Sequence, residues 1–190
     1  MQALYYLKKA ADDFSRACCI ADMEQADEVA IYVNPAFEQL TGYSSGEILG
    51  KNFRLLQGPL SSVQATARLR NAIRAHKAIH QDLINYHKDG SSFWNRMVLL
   101  PVQEQGHLYY FGIQQDIAGL SRMNQPGRAV KAISTSEFSQ VISNGLTTLL
   151  NVHLLLEEAK TEEQKKTLIQ QISVSLLRIE GCVESLEFKP

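Results

Sequence analysis

The sequence predicts an α+β fold, an antiparallel sheet with helices on one face, followed by a separate helical segment. Three observations carry that prediction. Strand-like runs fall in two groups, a pair within residues 17–33 and three more within residues 79–115, with helical patterns between the groups instead of a βαβ alternation. The second group turns at Lys88-Asp89-Gly90 and again at Gln105-Gly106, both suited to hairpins. Residues 134–188 contain no proline and carry apolar positions at steps of three and four.

Taken in order, Ala17-Cys18-Cys19-Ile20-Ala21 and Val29-Ala30-Ile31-Tyr32-Val33 are short apolar runs around a polar turn, as in a hairpin. Asn34-Pro35 ends the second run, because proline moves its predecessor out of the helical region and fits a helix's first turn. A short helix is expected over 35–41 and another from Ser44 or Ser45, where Ser44 and Glu47 fit a capping box. Residues 61–76 read as a longer amphipathic helix, and strands are expected at 79–86, 92–102 and 107–115. The resulting plan is an N-terminal helix over 1–13, a sheet domain over 14–118, a linker over 119–133 containing Pro126-Gly127, and a helical segment over 134–190.

Composition narrows the function. The 190 residues are 45% apolar and 21% charged, ordinary globular values. Nineteen basic against twenty acidic residues leave a formal charge of −1, so no nucleic-acid partner is expected. Three cysteines, two of them adjacent, give neither a disulfide framework nor a CxxC metal pair. The charged N-terminal stretch is not a signal core, and no apolar window is long enough to span a bilayer; a cytoplasmic protein without membrane attachment is expected. The five histidines show no metal-ligand spacing and there is no GxxxxGK[ST] loop, so no catalytic residues, no metal and no enzymatic activity are expected.

The run Gly50-Lys51-Asn52-Phe53-Arg54-Leu55-Leu56-Gln57-Gly58 resembles the flavin-binding signature G-x-N-C-R-F-L-Q-G of LOV photosensor domains, a branch of the PAS family. Further matching pieces are Asn34-Pro35-Ala36-Phe37, Thr41-Gly42-Tyr43, Asn85 to Ser91, Phe93-Trp94-Asn95 and Phe111 to Asp116, so the resemblance covers about residues 14–116. It implies a five-stranded antiparallel PAS sheet and a bound flavin, FMN or alternatively FAD. Such a ring needs apolar walls and a few placed amides, which donate and accept at once. By the resemblance, Asn85 and Asn95 bind the pyrimidine edge, Gln114 sits near the reactive ring edge, Asn52 and Gln57 contact ribityl chain and ring, and Arg54 and Arg70 hold the phosphate.

One position departs from the pattern. Phe53 stands where the family carries its photoactive cysteine, and a phenyl ring cannot bond to the flavin. Two routes are then open. In one, the flavin is photoreduced by a nearby aromatic donor, Trp94, Tyr86 or Tyr110, and Gln114 responds; in the other, Cys18 or Cys19 supplies an alternative thiol from the first strand, where alternation turns one of the pair to the core. A Cys-to-Phe change adds bulk, and Leu55 in place of the family's Phe offers a partial compensation.

The segment after the linker resembles the dimerisation and phosphotransfer hairpin of sensor histidine kinases. Phe138-Ser139-Gln140-Val141-Ile142-Ser143-Asn144-Gly145-Leu146-Thr147 is similar to F-S-H-E-I-x-N-P-L-T, with the phospho-accepting histidine replaced by Gln140. Thr161, in the polar break at 160–163, and Gln164 fit a second capping box. Two such helices leave an apolar stripe uncovered, so a homodimer through a four-helix bundle is expected. With Gln140 in that place and no ATP-binding domain expected in 190 residues, the reading is a blue-light or redox sensory protein that signals by conformation, without kinase activity, to a histidine kinase or other signalling partner; the alternative is a catalytically dead kinase-like interaction protein that regulates a partner histidine kinase.

Overall fold

The computed structural model describes residues 2–12 and 14–117, together with Thr161, Glu163, Gln164, Lys166, Thr167, Gln170 and Val174. The chain divides into two compact units, Phe14–Asn124 on the one hand and Met1–Asp13 with Gln125–Pro190 on the other.

In the second of these, α1 spans Gln2–Asp12. The capping box expected at Thr161 is formed: Thr161 N–H donates to Gln164 Oε1 at 3.1 Å and Gln164 N–H donates to Thr161 Oγ1 at 3.2 Å. The linker, the remainder of the expected helical hairpin and Gln140 lie outside the described residues.

The unit beginning at Phe14 is a five-stranded antiparallel sheet with helices, as the strand grouping predicts. In chain order it runs β1 (Ala17–Asp22), β2 (Ala30–Val33), α2 (Pro35–Thr41), α3 (Ser45–Ile48), a 3₁₀ turn (Phe53–Leu56), α4 (Val63–Arg74), β3 (Ile79–Tyr86), β4 (Ser92–Glu104) and β5 (His107–Asp116). The sheet order is β2-β1-β5-β4-β3, so the last strand is inserted beside the first. The capping box expected at Ser44 is also present: Glu47 Oε2 accepts from Ser44 N–H at 3.0 Å. The Gln105-Gly106 turn has positive φ at both residues, 52° and 83°, the backbone that a two-residue hairpin loop requires.

Two details differ from the sequence expectation. The strand expected to end at 102 continues to Glu104, through Pro101. Pro101 pairs with Tyr110 of β5, while β3 reaches β4 only as far as Leu99; the proline therefore sits where one edge of β4 has no partner, a place that tolerates a missing N–H. The signature run, unassigned from periodicity, forms the 3₁₀ turn.

Register fixes the faces. Opposed residues share a face, and the pairs Ala17↔Gln114, Cys19↔Gly112, Met97↔Gln114, Leu99↔Gly112 and Asn85↔Phe93 place Ala17, Cys19, Asn85, Phe93, Met97, Leu99, Gly112 and Gln114 on one side. Two apolar clusters lie on that side. Phe37, Ile48 and Leu56 join Ala17, Cys19, Ala30 and Val33 in one, and Ala65 and Leu69 of α4 join Leu83 and Met97 in the other. Asn34 secures the entry to α2: its buried side chain accepts from Cys18 N–H at 2.8 Å and Phe37 N–H at 2.9 Å, and donates to Arg16 O at 2.8 Å.

Candidate functional site

A cavity of about 360 Å³ lies on the inner sheet face, closed by the 3₁₀ turn and α4. Asn52 caps the turn, accepting from Arg54 N–H at 2.8 Å, and its Nδ2 donates to the carbonyls of Asp27 and Glu28. The loop after β1 is thereby tied to the helical side. At the other end, Tyr110 of β5 donates its hydroxyl to Lys77 O at 3.1 Å, holding the segment just past α4 against the sheet. Burial pushes the Tyr110 phenol up to about 12, so it keeps its proton.

The walls are mainly apolar, with Phe53, Leu56, Leu69, Ile73, Met97 and Leu99 among them. The polar groups are concentrated in two places. On the rim stand Arg54, Arg70 and Arg74, with Glu28. Arg54 is ion-paired to Asp27 with both side chains more than half exposed, so the pair adds little to stability.

The second polar group is a chain of three buried amides on adjacent strands. Asn85 Nδ2 donates to Leu56 O at 2.9 Å; Asn95 Nδ2 donates to Asn85 Oδ1 and to Gln114 Oε1, both at 2.8 Å; Gln114 Nε2 reaches Cys19 Sγ at 3.5 Å. Asn85, Asn95 and Gln114 are 3%, 0% and 3% exposed. Asn95 Oδ1 is buried with no hydrogen-bond partner, and a buried polar atom left so costs about 1–3 kcal/mol. An apolar slot edged by amides with one acceptor unspent has the donor set that a flat heteroaromatic ring with ring N–H and carbonyl groups requires.

A family model described as PAS domain matches residues 16–118, more than half of the chain. The chain belongs to the PAS domain family. Its PAS domain is similar to blue-light-activated histidine kinase 2 of Erythrobacter litoralis, 41% identical over 114 residues, which is 59% of this chain and 32% of that one. It is similar also to the blue-light photoreceptor of Listeria monocytogenes, 40% identical over 110 residues, 57% of this chain and 44% of that one. Among solved structures it resembles the LOV domain of a blue-light-activated histidine kinase from Erythrobacter litoralis, at 42% identity and a TM-score of 0.53, covering 55% of this chain and 97% of that domain. The chain thus spans less than half the length of these curated relatives.

Within this PAS domain most of the residues singled out in the sequence converge. Asn52, Phe53, Arg54, Gln57, Arg70, Asn85 and Gln114 line the cavity, and Asn95 joins Asn85 to Gln114 behind it. One placement differs from the expectation, and another resolves an alternative it left open. Trp94 does not line the cavity: Ile84 lies opposite it on β3, one residue out of phase with Asn95, and its side chain is 40% exposed. Tyr110 is the aromatic candidate that faces inward. Of the two thiols, Cys19 faces the cavity while Cys18, opposite Ile113, faces the other way. Phe53 is accommodated by an edge-on contact with Phe37, ring centroids 5.6 Å apart at 66°, and Leu55 packs into the same cluster. Composition did not signal the Leu56 carbonyl, which anchors the amide chain, or Asp27, which pairs with Arg54. Both depend on the path of the backbone.

Among the described residues no group of three or more His, Cys, Asp or Glu is placed to hold a metal ion, and no helix is long and apolar enough to cross a membrane.

Proposed function

We propose that the cavity holds a flavin, FMN or the larger FAD, and that the protein is a blue-light or redox sensory module. The observation that carries this is the chain Asn85–Asn95–Gln114, three buried amides at one end of an apolar slot, with Asn95 Oδ1 unpartnered. A bound flavin would supply blue-light absorption and reversible electron uptake. Asn85 would hold its polar edge with Asn95 bracing it from behind the cavity wall, Phe53, Leu56, Met97 and Leu99 would sandwich its apolar body, and Arg54 and Arg70 would meet the phosphate at the rim. Similarity to a blue-light-activated histidine kinase and a blue-light photoreceptor supports the same reading.

Phe53 gives the cavity wall no thiol where the family's reactive cysteine falls, so bond formation there is closed. Electron transfer, which illumination and dark chemical reduction both provide, is the favoured input, with bond formation to the inward thiol of Cys19 as the alternative. Tyr110 is the inward aromatic donor, although its raised pKa means that its proton stays on the phenol in the resting state. Gln114 lies two residues before the end of β5, so a change in its hydrogen bonds acts close to where the chain leaves the sheet. The output is carried by residues 134–190 as a dimeric helical bundle without phosphoryl transfer, acting on a histidine kinase or similar signalling protein in the cytoplasm.

The test is the absorption spectrum of the purified protein before and after blue light, and with dithionite in the dark. A flavin spectrum that light changes supports a photoreceptor; one that only dithionite changes supports a redox sensor. Protein that is colourless and cannot be reconstituted with FMN or FAD overturns the reading.

A further inference from the structure

The orientation of the three amides is set from one end of their chain. A backbone carbonyl only accepts, so Leu56 O forces Asn85 to turn Nδ2 toward it. That leaves Asn85 Oδ1 for Asn95, whose Nδ2 spends its two hydrogens on Asn85 and Gln114. Gln114 must then present Oε1 to Asn95 and Nε2 to whatever stands beyond it. What stands beyond it is Cys19 Sγ, at 3.5 Å.

The thiol is held there by its surroundings. Cys19 is 4% exposed and lies opposite Gly112 on β5. A Cβ on Gly112 would fall 2.7 Å from Sγ, so the sulfur occupies space that glycine alone leaves open. Sulfur is a weak acceptor and the S–H a weak donor, whereas the carbonyl at the far end of the chain only accepts. The polarity fixed at Leu56 therefore runs the length of the chain, and the sulfur receives the amide hydrogen at its other end.

We propose that Cys19 is the positioning residue for Gln114: its sulfur accepts from Nε2 and so holds the amide in the one orientation that the chain from Leu56 allows. This rests on the flavin reading for its consequence, since the amide so positioned is the one assigned to the ring edge, but the contact itself does not require a flavin. A valine at 19 would leave Nε2 without its sulfur acceptor; a serine would restore an acceptor there.

The contact is tested in flavin-free protein by the side-chain ¹⁵N–¹H pair of Gln114, assigned from its loss in Gln114→Leu. Cys19→Val should shift that pair, Cys19→Ser should return it toward the wild-type position, and Cys18→Val, on the opposite face, should leave it in place. In FMN-loaded protein the visible band should shift in Cys19→Val and not in Cys18→Val. A Gln114 pair that is unmoved by Cys19→Val, or moved equally by Cys18→Val, overturns the proposal. Failure of FMN to bind, with the NMR shifts intact, would instead count against the flavin reading alone.

Discussion

Gln114 Oε1 lies 2.8 Å from Asn95 Nδ2, and that single bond joins the last strand of the sheet to an amide whose own oxygen has no partner. The sheet's three inner amides thus form one unit, tied at Leu56 and running to Cys19. Removing any member leaves others unsatisfied, and double-mutant cycles are the way to apportion their coupling.

Asn95→Ala strands Asn85 Oδ1 and Gln114 Oε1. With about 1–3 kcal/mol for a buried group left unmade, FMN affinity should fall about tenfold or more. Fluorescence titration checks this; unchanged affinity would show that the amide chain does not touch the ligand.

Gly58→Ala should destabilise without touching the amides. A Cβ there would lie 2.4 Å from the Tyr86 ring, whose hydroxyl accepts from Leu60 N–H at 2.9 Å and so cannot move freely. The expected cost is about 2 kcal/mol, typical of overpacking, and Tyr86→Leu in the same chain should recover part of it. Thermal unfolding of the two variants measures both.

Asn34→Ala removes the α2 cap and the acceptor of Cys18 N–H together. A lost cap is worth about 1 kcal/mol and a buried donor left bare about 1–3 kcal/mol, so urea unfolding should show a loss of about 2–4 kcal/mol.

Phe53→Cys puts a thiol in the cavity wall at the position the LOV signature reserves for it. Blue light should then bleach the bound flavin's visible band reversibly in the variant and not in the parent. The variant also loses the edge-on contact with Phe37, and its stability should fall by about 1–3 kcal/mol. Absence of light-dependent bleaching in a flavin-loaded variant would mean that residue 53 is not positioned as in LOV domains.

Acid should weaken the fold through specific carboxylates. Burial pushes Asp82 up, but hydrogen bonds from His80 and Arg96 outweigh it and leave it below its ordinary 3.8. Glu47, hydrogen-bonded by Lys88 and Ser44, is held down to about 2. A carboxyl whose folded value is depressed stabilises above its unfolded value and loses that contribution as pH falls through the folded one. Stability should therefore decline from about pH 4.5 toward pH 2. Asp82→Asn takes from Arg96, 3% exposed, the carboxylate that meets it at 2.9 Å. Loss of its charge-assisted hydrogen bonds should cost about 1.5–3 kcal/mol at pH 7 and progressively less in acid, as denaturation at several pH values would show.

Local chemistry made much of this protein legible in one dimension. The caps at Ser44 and Thr161 were readable because their partners lie three residues away. The hairpins at Lys88-Asp89-Gly90 and Gln105-Gly106 were readable because turn residues and flanking alternation are local too. The signature around Asn52 to Gln57 marked the site, yet its 3₁₀ form was hidden, since four residues are too few to show a helical period. Trp94 shows the limit of reading by residue type: it neighbours Asn95 in sequence, and alternation along β4 puts it on the other face.

By itself the sequence determined the order of the sheet domain's strands and helices, the family signature, the phenylalanine at residue 53 and the inward-facing parity of one of its two adjacent cysteines. Only the tertiary structure decided that Cys19 is the inward one, that Arg54 meets Asp27, and that three amides from three strands close into a single chain anchored at Leu56. Those outcomes depend on inter-strand register and on where a backbone carbonyl points. Both are fixed by burying two apolar clusters at once, a constraint that no short stretch of sequence contains.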